Sequence, residues 1–127
     1  MSLTETFYRG QGLDALTIYG LVNDAHKMAV EHGFWTSFKD TSKIPEKLML
    51  VVSELSEALE EYRAGGSISD VRLEDGTKKP IGFATEIADA VIRLADLAGE
   101  YGIDLEDVIR TKMEFNKTRP FKHGKVC

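Results

Sequence analysis

The stretch FATEIADAVIRLADLAG, residues 83–99, decides the fold class. Its apolar residues lie nearly all round a helix, which is typical of a helix at the centre of a bundle or in a subunit interface. Thr85 is a candidate early cap. Glu86 and Asp89 lie three residues apart, and such acids on a central helix must be paired, protonated or bound to metal. The alternative to a functional role is an ion pair between Asp89 and Arg93, four residues on.

Three further helices are predicted around this central one. Apolar residues recur at three- and four-residue steps from Leu13 to His32. Pro45 fits the first turn of the next helix, which Gly65-Gly66 end. Asp104 fits the N-cap of a last helix that ends before Pro120. The pattern therefore predicts an all-α, four-helix bundle.

Residues 67–82 interrupt the helical pattern between the second and third helices. Asp75-Gly76 lies there between short extended segments, which predicts a hairpin. Residues 1–12 are expected to form a loose N-terminal arm and residues 120–127 a short basic tail. A length of 127 residues fits one domain. We therefore expect a single domain with a short hairpin-like insertion.

Composition excludes several classes of partner. The net charge of −5 argues against nucleic acid as the main partner, although a metal ion can still bridge a small phosphorylated ligand to carboxylates. Cys127 is the single cysteine, so no internal disulfide is expected, and no Cys/His cluster suggests zinc. No apolar run approaches the ~18 residues of a membrane span, and no secretory signal is recognisable. These features predict a cytoplasmic protein without a membrane partner.

A second acidic pair lies in the second predicted helix. Glu54 and Glu57 are three residues apart on one face, and Glu61 extends that stripe. Taken alone, the stripe equally fits a solvated acidic surface. Together with Glu86 and Asp89, however, it would allow two neighbouring helices to face four carboxylates toward one point. Oxygen ligands without histidine or cysteine favour Mg²⁺, with Mn²⁺ as a possible substitute.

Two further groups of residues are candidates for substrate binding. Lys112, Asn116 and Arg119 form a stripe on the last helix, and such cations can hold phosphate oxygens. A solvated basic face is the alternative. Near the first helix, a nucleobase could stack on Trp35 beside the polar His26. Trp35 equally fits a packing anchor, and His26 equally fits a cap of its own helix.

These motifs, in this order, resemble the MazG-like group of all-α nucleoside triphosphate pyrophosphatases. The order is Glu-x-x-Glu at 54–57, a 28-residue spacer and Glu-x-x-Asp at 86–89. The run KMEFNKTRPFKHGK at 112–125 resembles the family's C-terminal signature, and His26-x-x-Ala-x-x-x-Gly-Phe-Trp resembles its base-reading segment. The resemblance covers about residues 20–125. Some members carry a Glu where this chain has Ser53, which leaves the number of metal ions open.

The resemblance implies an enzyme that cleaves nucleoside triphosphates between the α and β phosphates. The products would be a nucleoside monophosphate and pyrophosphate, in a role of nucleotide-pool house-cleaning. Glu54, Glu57, Glu86 and Asp89 would hold Mg²⁺, and Glu54, Glu57 or Glu61 would take a proton from water. Lys112 and Arg119 would stabilise the departing pyrophosphate. Family members are homodimers or homotetramers.

Two other functions remain open from the sequence. The chain could be a non-catalytic helical interaction module, in which the acidic stripes are solvated or face a partner. It could also bind nucleotides for regulation without turnover. The preferred base and sugar are not readable from the residues.

Overall fold

Four α-helices make up most of the part of the chain that the computed structural model describes, residues 16–36 and 40–126. They are α1 (Ile18–Glu31), α2 (Ile44–Arg63), α3 (Phe83–Glu100) and α4 (Leu105–Lys117). Two 3-10 turns, Thr41–Lys43 and Phe121–Gly124, precede α2 and follow α4. The protein is therefore all-α, as the sequence predicts. The predicted loose arm at residues 1–12 lies outside the described residues.

The helix ends follow local capping chemistry. The Thr17 side chain accepts a hydrogen bond from the Gly20 amide at 2.9 Å, so α1 begins at Ile18 and not at the predicted Leu13. Residues 13–15 are not among those described. Asp104 caps α4 as predicted, since its carboxylate accepts from the backbone N–H of Asp107 at 3.1 Å.

The predicted cap of the third helix is wrong. Gly82 is the N-cap of α3, and no side chain caps this end of the helix. Thr85 already lies inside the first turn of α3. Its buried Oγ1 has no hydrogen-bond partner among the described residues.

The third helix is central, as its apolar pattern predicts. It packs against both α1 and α2, whereas α4 packs on α1. Small residues dominate the core between α1 and α3, where Ala25, Ala95 and Ala98 are buried beside Val22. A side chain at Gly99 would place its Cβ only 2.6 Å from the His26 Cβ. This close approach brings the first helix against the face of α3 that carries Asp96.

The insertion between α2 and α3 forms the predicted hairpin. Its strands, β1 (Arg72–Leu73) and β2 (Pro80–Ile81), are antiparallel. Gly76 adopts a φ of 84° in the turn, a left-handed conformation that glycine adopts without strain. A Cβ on Gly82 would lie 2.9 Å from the Asp70 carbonyl oxygen, so the hairpin returns tightly onto the start of α3. This contact holds its cationic residues close to the acidic helices.

Apolar side chains remain exposed on two of the packed helices. On α2 they recur at helical spacing, and their exposure lies between 45% and 61%. This stripe, here called the α2 apolar stripe, consists of Leu48, Val52, Leu55, Leu59 and Tyr62. On α3, Ile87, Val91 and Leu94 are exposed in the same way. Contiguous apolar surface of this kind is typical of a face that another molecule covers. No helix in the described residues is long and apolar enough to cross a bilayer.

Candidate active site

Three of the predicted metal ligands come together between α2 and α3. Glu54, Glu57 and Glu86 each offer a carboxylate oxygen, and these oxygens all lie within 4.8 Å of one another. Glu54 is buried, Glu86 half-buried and Glu57 exposed. Because each acid pair has a three-residue spacing, both helices present a carboxylate toward the shared point. The three residues are called the acidic triad below.

Burial and the neighbouring groups shift the pKa values of two members of the triad, Glu86 and Glu54. Burial, hydrogen bonds with Glu57 and Glu54, and the charges of Glu57 and Asp89 together raise the pKa of Glu86 to about 7. Burial also opposes ionisation of Glu54, but hydrogen bonds from Arg93 and Glu86, together with the Arg93 charge, outweigh it and lower the pKa of Glu54. Glu86 therefore ionises only near neutral pH, and a cation bound at the triad would favour its ionised form.

Asp89, the fourth predicted ligand, lies beside the triad but outside the group of three. Burial and the negative charge of Glu54 raise its pKa, and the positive charges of Arg93 and Lys79 partly offset this. The alternative prediction, an ion pair between Asp89 and Arg93 within α3, is not observed. Instead, Arg93 donates from Nε to Oε1 of Glu54 at 2.7 Å, across the helix interface.

The hairpin brings two cations to the triad that sequence reasoning missed. Arg72 and Lys79 border the same surface depression as Glu57 and Glu86. Arg72 also donates from Nη2 to Glu61 Oε2 at 3.1 Å. Glu61 is therefore engaged in an ion pair and is not a member of the triad. The available sequence signal was an insertion between two acidic helices that carries three basic residues, Arg72, Lys78 and Lys79.

A cavity of about 360 Å³ extends from Glu54 along the face of α3. This volume lies within the range of small-molecule sites. One end carries Glu54, Asp89 and Arg93, and the other carries Phe34, Lys47 and Asp96. The wall between them is largely apolar and includes Ala25, Met28, Ala29, Ile92 and Leu97. Asp89 and Asp96 are seven residues apart on one helix, so the two ends are separated by about 10 Å along its axis.

The predicted base-reading residues meet at the far end of this cavity. His26 Nδ1 lies 3.0 Å and Trp35 Nε1 lies 2.8 Å from the same atom, Asp96 Oδ1. The Trp35 ring packs edge-on against Tyr101 at 5.9 Å between centroids, and Lys47 Nζ lies 4.5 Å from its centre. Within the described chain, neither His26 nor Trp35 borders the cavity, whereas Asp96 does. The two residues therefore support the wall from behind, and His26 does not cap its helix.

The predicted basic stripe is not brought to the triad within one chain. Lys112 and Arg119 instead lie over the nearby Phe115 ring, with Lys112 Nζ 5.2 Å and Arg119 Cζ 5.9 Å from the ring centroid. Asn116 Oδ1 is buried and has no hydrogen-bond partner in the described part of the chain. Among the described residues, none of these three borders the cavity or the triad depression.

Comparison with known proteins does not assign the site. No protein-family model matches the chain, and neither curated proteins nor solved structures give a significant match. The resemblance to MazG-like pyrophosphatases therefore stays a prediction. It rests on the residues at 54–57, 86–89 and 112–125.

Proposed function

We propose that this protein is a Mg²⁺-dependent nucleoside triphosphate pyrophosphohydrolase of MazG-like type. The observation that carries the proposal is the acidic triad, whose buried member Glu54 borders a cavity of small-molecule size, while Glu57 and Glu86 border the depression lined by Arg72 and Lys79. Three convergent carboxylates supply the negative charge that a metal–phosphate complex needs. The largely apolar remainder of the cavity suits a nucleoside. Cleavage would give a nucleoside monophosphate and pyrophosphate, and a cytoplasmic house-cleaning role fits this reaction.

The chemistry of the donors fits a hard divalent cation. Glu54, Glu57 and Glu86 offer oxygen ligands only, which favours Mg²⁺ and permits Mn²⁺. Burial, hydrogen bonds with Glu57 and Glu54, and nearby negative charge raise the pKa of Glu86 to about 7, and a bound cation would favour its ionised form. Asp89 is the nearest further carboxylate and would complete the set or bind through water. When bound, Mg²⁺ would polarise the α-phosphoryl group and lower the pKa of a coordinated water.

The protein side chains supply the remaining groups for hydrolysis. A water oxygen forms a bond to the α-phosphorus, the bond from that phosphorus to the bridging oxygen breaks, and pyrophosphate departs. Glu57, the exposed member of the triad, is positioned to accept the proton that this water loses. Arg93 borders the cavity at the same end as Glu54 and Asp89, where it can orient the α-phosphate. Glu61 is less suited to the base role because it pairs with Arg72.

The phosphates that leave need cations, and the hairpin offers them. Lys79 and Arg72 border the depression that Glu57 and Glu86 line, and neither of them borders the cavity. We therefore assign them the contact with the departing pyrophosphate, ahead of Lys112 and Arg119. Preorganised cations at that point would stabilise the charge that develops as the bond breaks.

We further propose that the chain forms a homodimer or homotetramer. The α2 apolar stripe is about half exposed in the single chain, and a second copy would cover it. The same exposed stripe favours the second candidate function, a non-catalytic helical interaction module. In that case the stripe would bind a different protein, and the triad would be a structural cluster without turnover.

The deciding experiment separates the products of turnover. The protein is incubated with each common dNTP and NTP, with Mg²⁺ or with EDTA, and pyrophosphate and orthophosphate are assayed independently. We expect pyrophosphate and no orthophosphate, and we expect it only when Mg²⁺ is present. Glu57→Gln should abolish its release. Glu114→Gln, an exposed glutamate on α4, is the matched control and should behave as wild type. Orthophosphate as the product, or no turnover of any nucleotide, would exclude the proposal.

A further inference from the structure

Asp96 is a fixed hydrogen-bond acceptor in the wall of the nucleotide-sized cavity. Both hydrogen bonds to it converge on Oδ1, from His26 and Trp35. An ionised carboxylate only accepts, so His26 Nδ1 must be the donor in the first of these bonds. The side chain of Asp96 is 16% exposed. Oδ2 has no hydrogen-bond partner among the described residues, although the side chain borders the cavity.

Two neighbouring side chains keep this carboxylate in place. The Trp35 ring, which carries the donating N–H, is packed edge-on against His26 and Tyr101. Tyr101 in turn donates from its hydroxyl to the Asp40 carbonyl at 2.8 Å. His26 is held against α3 at Gly99, where an added Cβ would lie 2.6 Å from the His26 Cβ and 3.3 Å from the Val22 carbonyl oxygen. The acceptor therefore cannot rotate freely to follow a ligand.

A fixed acceptor discriminates between bases by their exocyclic groups. Cytosine and adenine carry an amino group, which donates, where uracil and hypoxanthine carry a carbonyl oxygen, which accepts. A carbonyl placed against a carboxylate oxygen would leave both acceptors unsatisfied and would add electrostatic repulsion. The ring nitrogen next to that carbonyl does carry a hydrogen, but an immobile acceptor cannot shift to reach it. A site built to pair with one donor rejects the analogue that lacks it.

We infer that Asp96 reads the exocyclic amino group of the base, so that the substrate is an amino-bearing nucleotide and not its keto counterpart. This inference rests on the proposed nucleotide site, because it places the base at the Asp96 end and the phosphates at the triad. The length of α3 between Asp89 and Asp96 suits a nucleoside laid along the cavity. Phe34, which borders the same end, offers an aromatic face to the base.

The test uses two pairs of nucleotides that differ only at this edge. The pairs are dCTP with dUTP and dATP with dITP, and kcat/KM is measured for each in Mg²⁺. For whichever ring size the protein turns over, we expect the amino member to be favoured by roughly 10- to 100-fold. An equal rate for both members, or a preference for the keto member, would overturn the inference.

Asp96→Asn separates reading the base from supporting the aromatic residues. The amide oxygen can still accept from His26 and Trp35, while its NH₂ group replaces the free acceptor with a donor. We expect the preference within each pair to fall at least tenfold or to reverse toward the keto base. Trp35→Phe, which removes a supporting donor and part of the packed ring but leaves the Asp96 carboxylate unchanged, should slow both members of a pair alike. If Asp96→Asn also slowed both members alike and left the ratio unchanged, Asp96 would be only a support.

A binding measurement distinguishes failure of this inference from failure of the proposed function. Titration calorimetry with dCMP and dUMP, and with dAMP and dIMP, needs no hydrolysis. If the protein bound the amino member more tightly but turned over no triphosphate, the proposed hydrolase function would be excluded and the reading of the base by Asp96 would be supported. If the protein turned over triphosphates but bound both members of a pair equally and with equal kcat/KM, only the reading of the base by Asp96 would be excluded. If the protein showed no turnover and no binding, both the proposed function and the reading of the base would be overturned.

Discussion

Replacement of Glu86 by glutamine tests the charge balance of the triad. Glu86 has a pKa of about 7 in the folded chain, against an ordinary value of 4.5. Between these values the folded state binds more protons than the unfolded one, so stability falls as pH rises from about 4.5 to 7. Glutamine resembles the protonated acid and carries no charge. Glu86→Gln should therefore stabilise the metal-free protein at pH 8 and leave it unchanged near pH 4.5.

The magnitude follows from the size of the pKa shift. A fully buried group with this shift would contribute roughly 3 kcal/mol. Because the triad is partly open to solvent, we discount this to about 1–2 kcal/mol. In a chain of this length such a gain raises Tm by roughly 3–8 °C. Thermal unfolding in EDTA at pH 4.5 and pH 8 measures the difference, with Glu114→Gln as the exposed control.

Magnesium should reverse the order of thermal stability, so that the wild type becomes more stable than Glu86→Gln. A ligand at about 100 times its Kd stabilises the folded state by about 2.7 kcal/mol, so Mg²⁺ at pH 8 should raise the Tm of the wild type. Glu86→Gln should lose most of this gain because a carboxylate ligand is missing. The reasoning would be refuted if Glu86→Gln were no more stable than wild type in EDTA at pH 8. A gain of equal size at both pH values would refute it as well.

The remaining predictions concern the hairpin, the helix contact and the assembly. Lys79→Met should lower kcat/KM for a triphosphate by about tenfold or more, whereas its neighbour Lys78→Met should not; equal effects would remove Lys79 from the phosphate site. Gly99→Ala should lower Tm, because its clash with His26 costs about 1–3 kcal/mol and outweighs a helix-propensity gain of about 1 kcal/mol; an unchanged or higher Tm would contradict the close packing. In light scattering, the wild type should be a dimer or tetramer and Leu59→Lys should shift toward monomer, whereas a monomeric wild type would contradict self-association.

Local sequence signals predicted the parts of the fold that depend on short-range chemistry. The apolar pattern of residues 83–99 placed α3 at the centre, since a helix with apolar residues on most of its circumference packs against more than one neighbour. The three-residue spacings in α2 and α3 together predicted four convergent carboxylates, of which Glu54, Glu57 and Glu86 come together while Asp89 lies outside the group. The start of α1 was wrong because Leu13 and Leu16 continue the apolar period, while the cap at Thr17 decides where the helix begins.

Contacts between residues far apart in the sequence could not be predicted from these local signals. Asp96 has no motif around it, and its partners Trp35 and His26 lie 61 and 70 positions away. Arg93 has Asp89 four residues before it, yet it pairs with Glu54, which is 39 positions away, because α2 and α3 pack there. The stripe at Lys112, Asn116 and Arg119 was readable, but its placement depends on how the chain turns after α3.

The central claim is that this protein cleaves a nucleoside triphosphate between its α and β phosphates with Mg²⁺. It is tested most directly by ³¹P nuclear magnetic resonance of dCTP, dUTP, dATP and dITP incubated separately with the protein. For at least one nucleotide, we predict that monophosphate and pyrophosphate resonances grow in equal amounts in Mg²⁺ and not in EDTA. Nucleoside diphosphate with orthophosphate, or four unchanged triphosphates, would contradict the account.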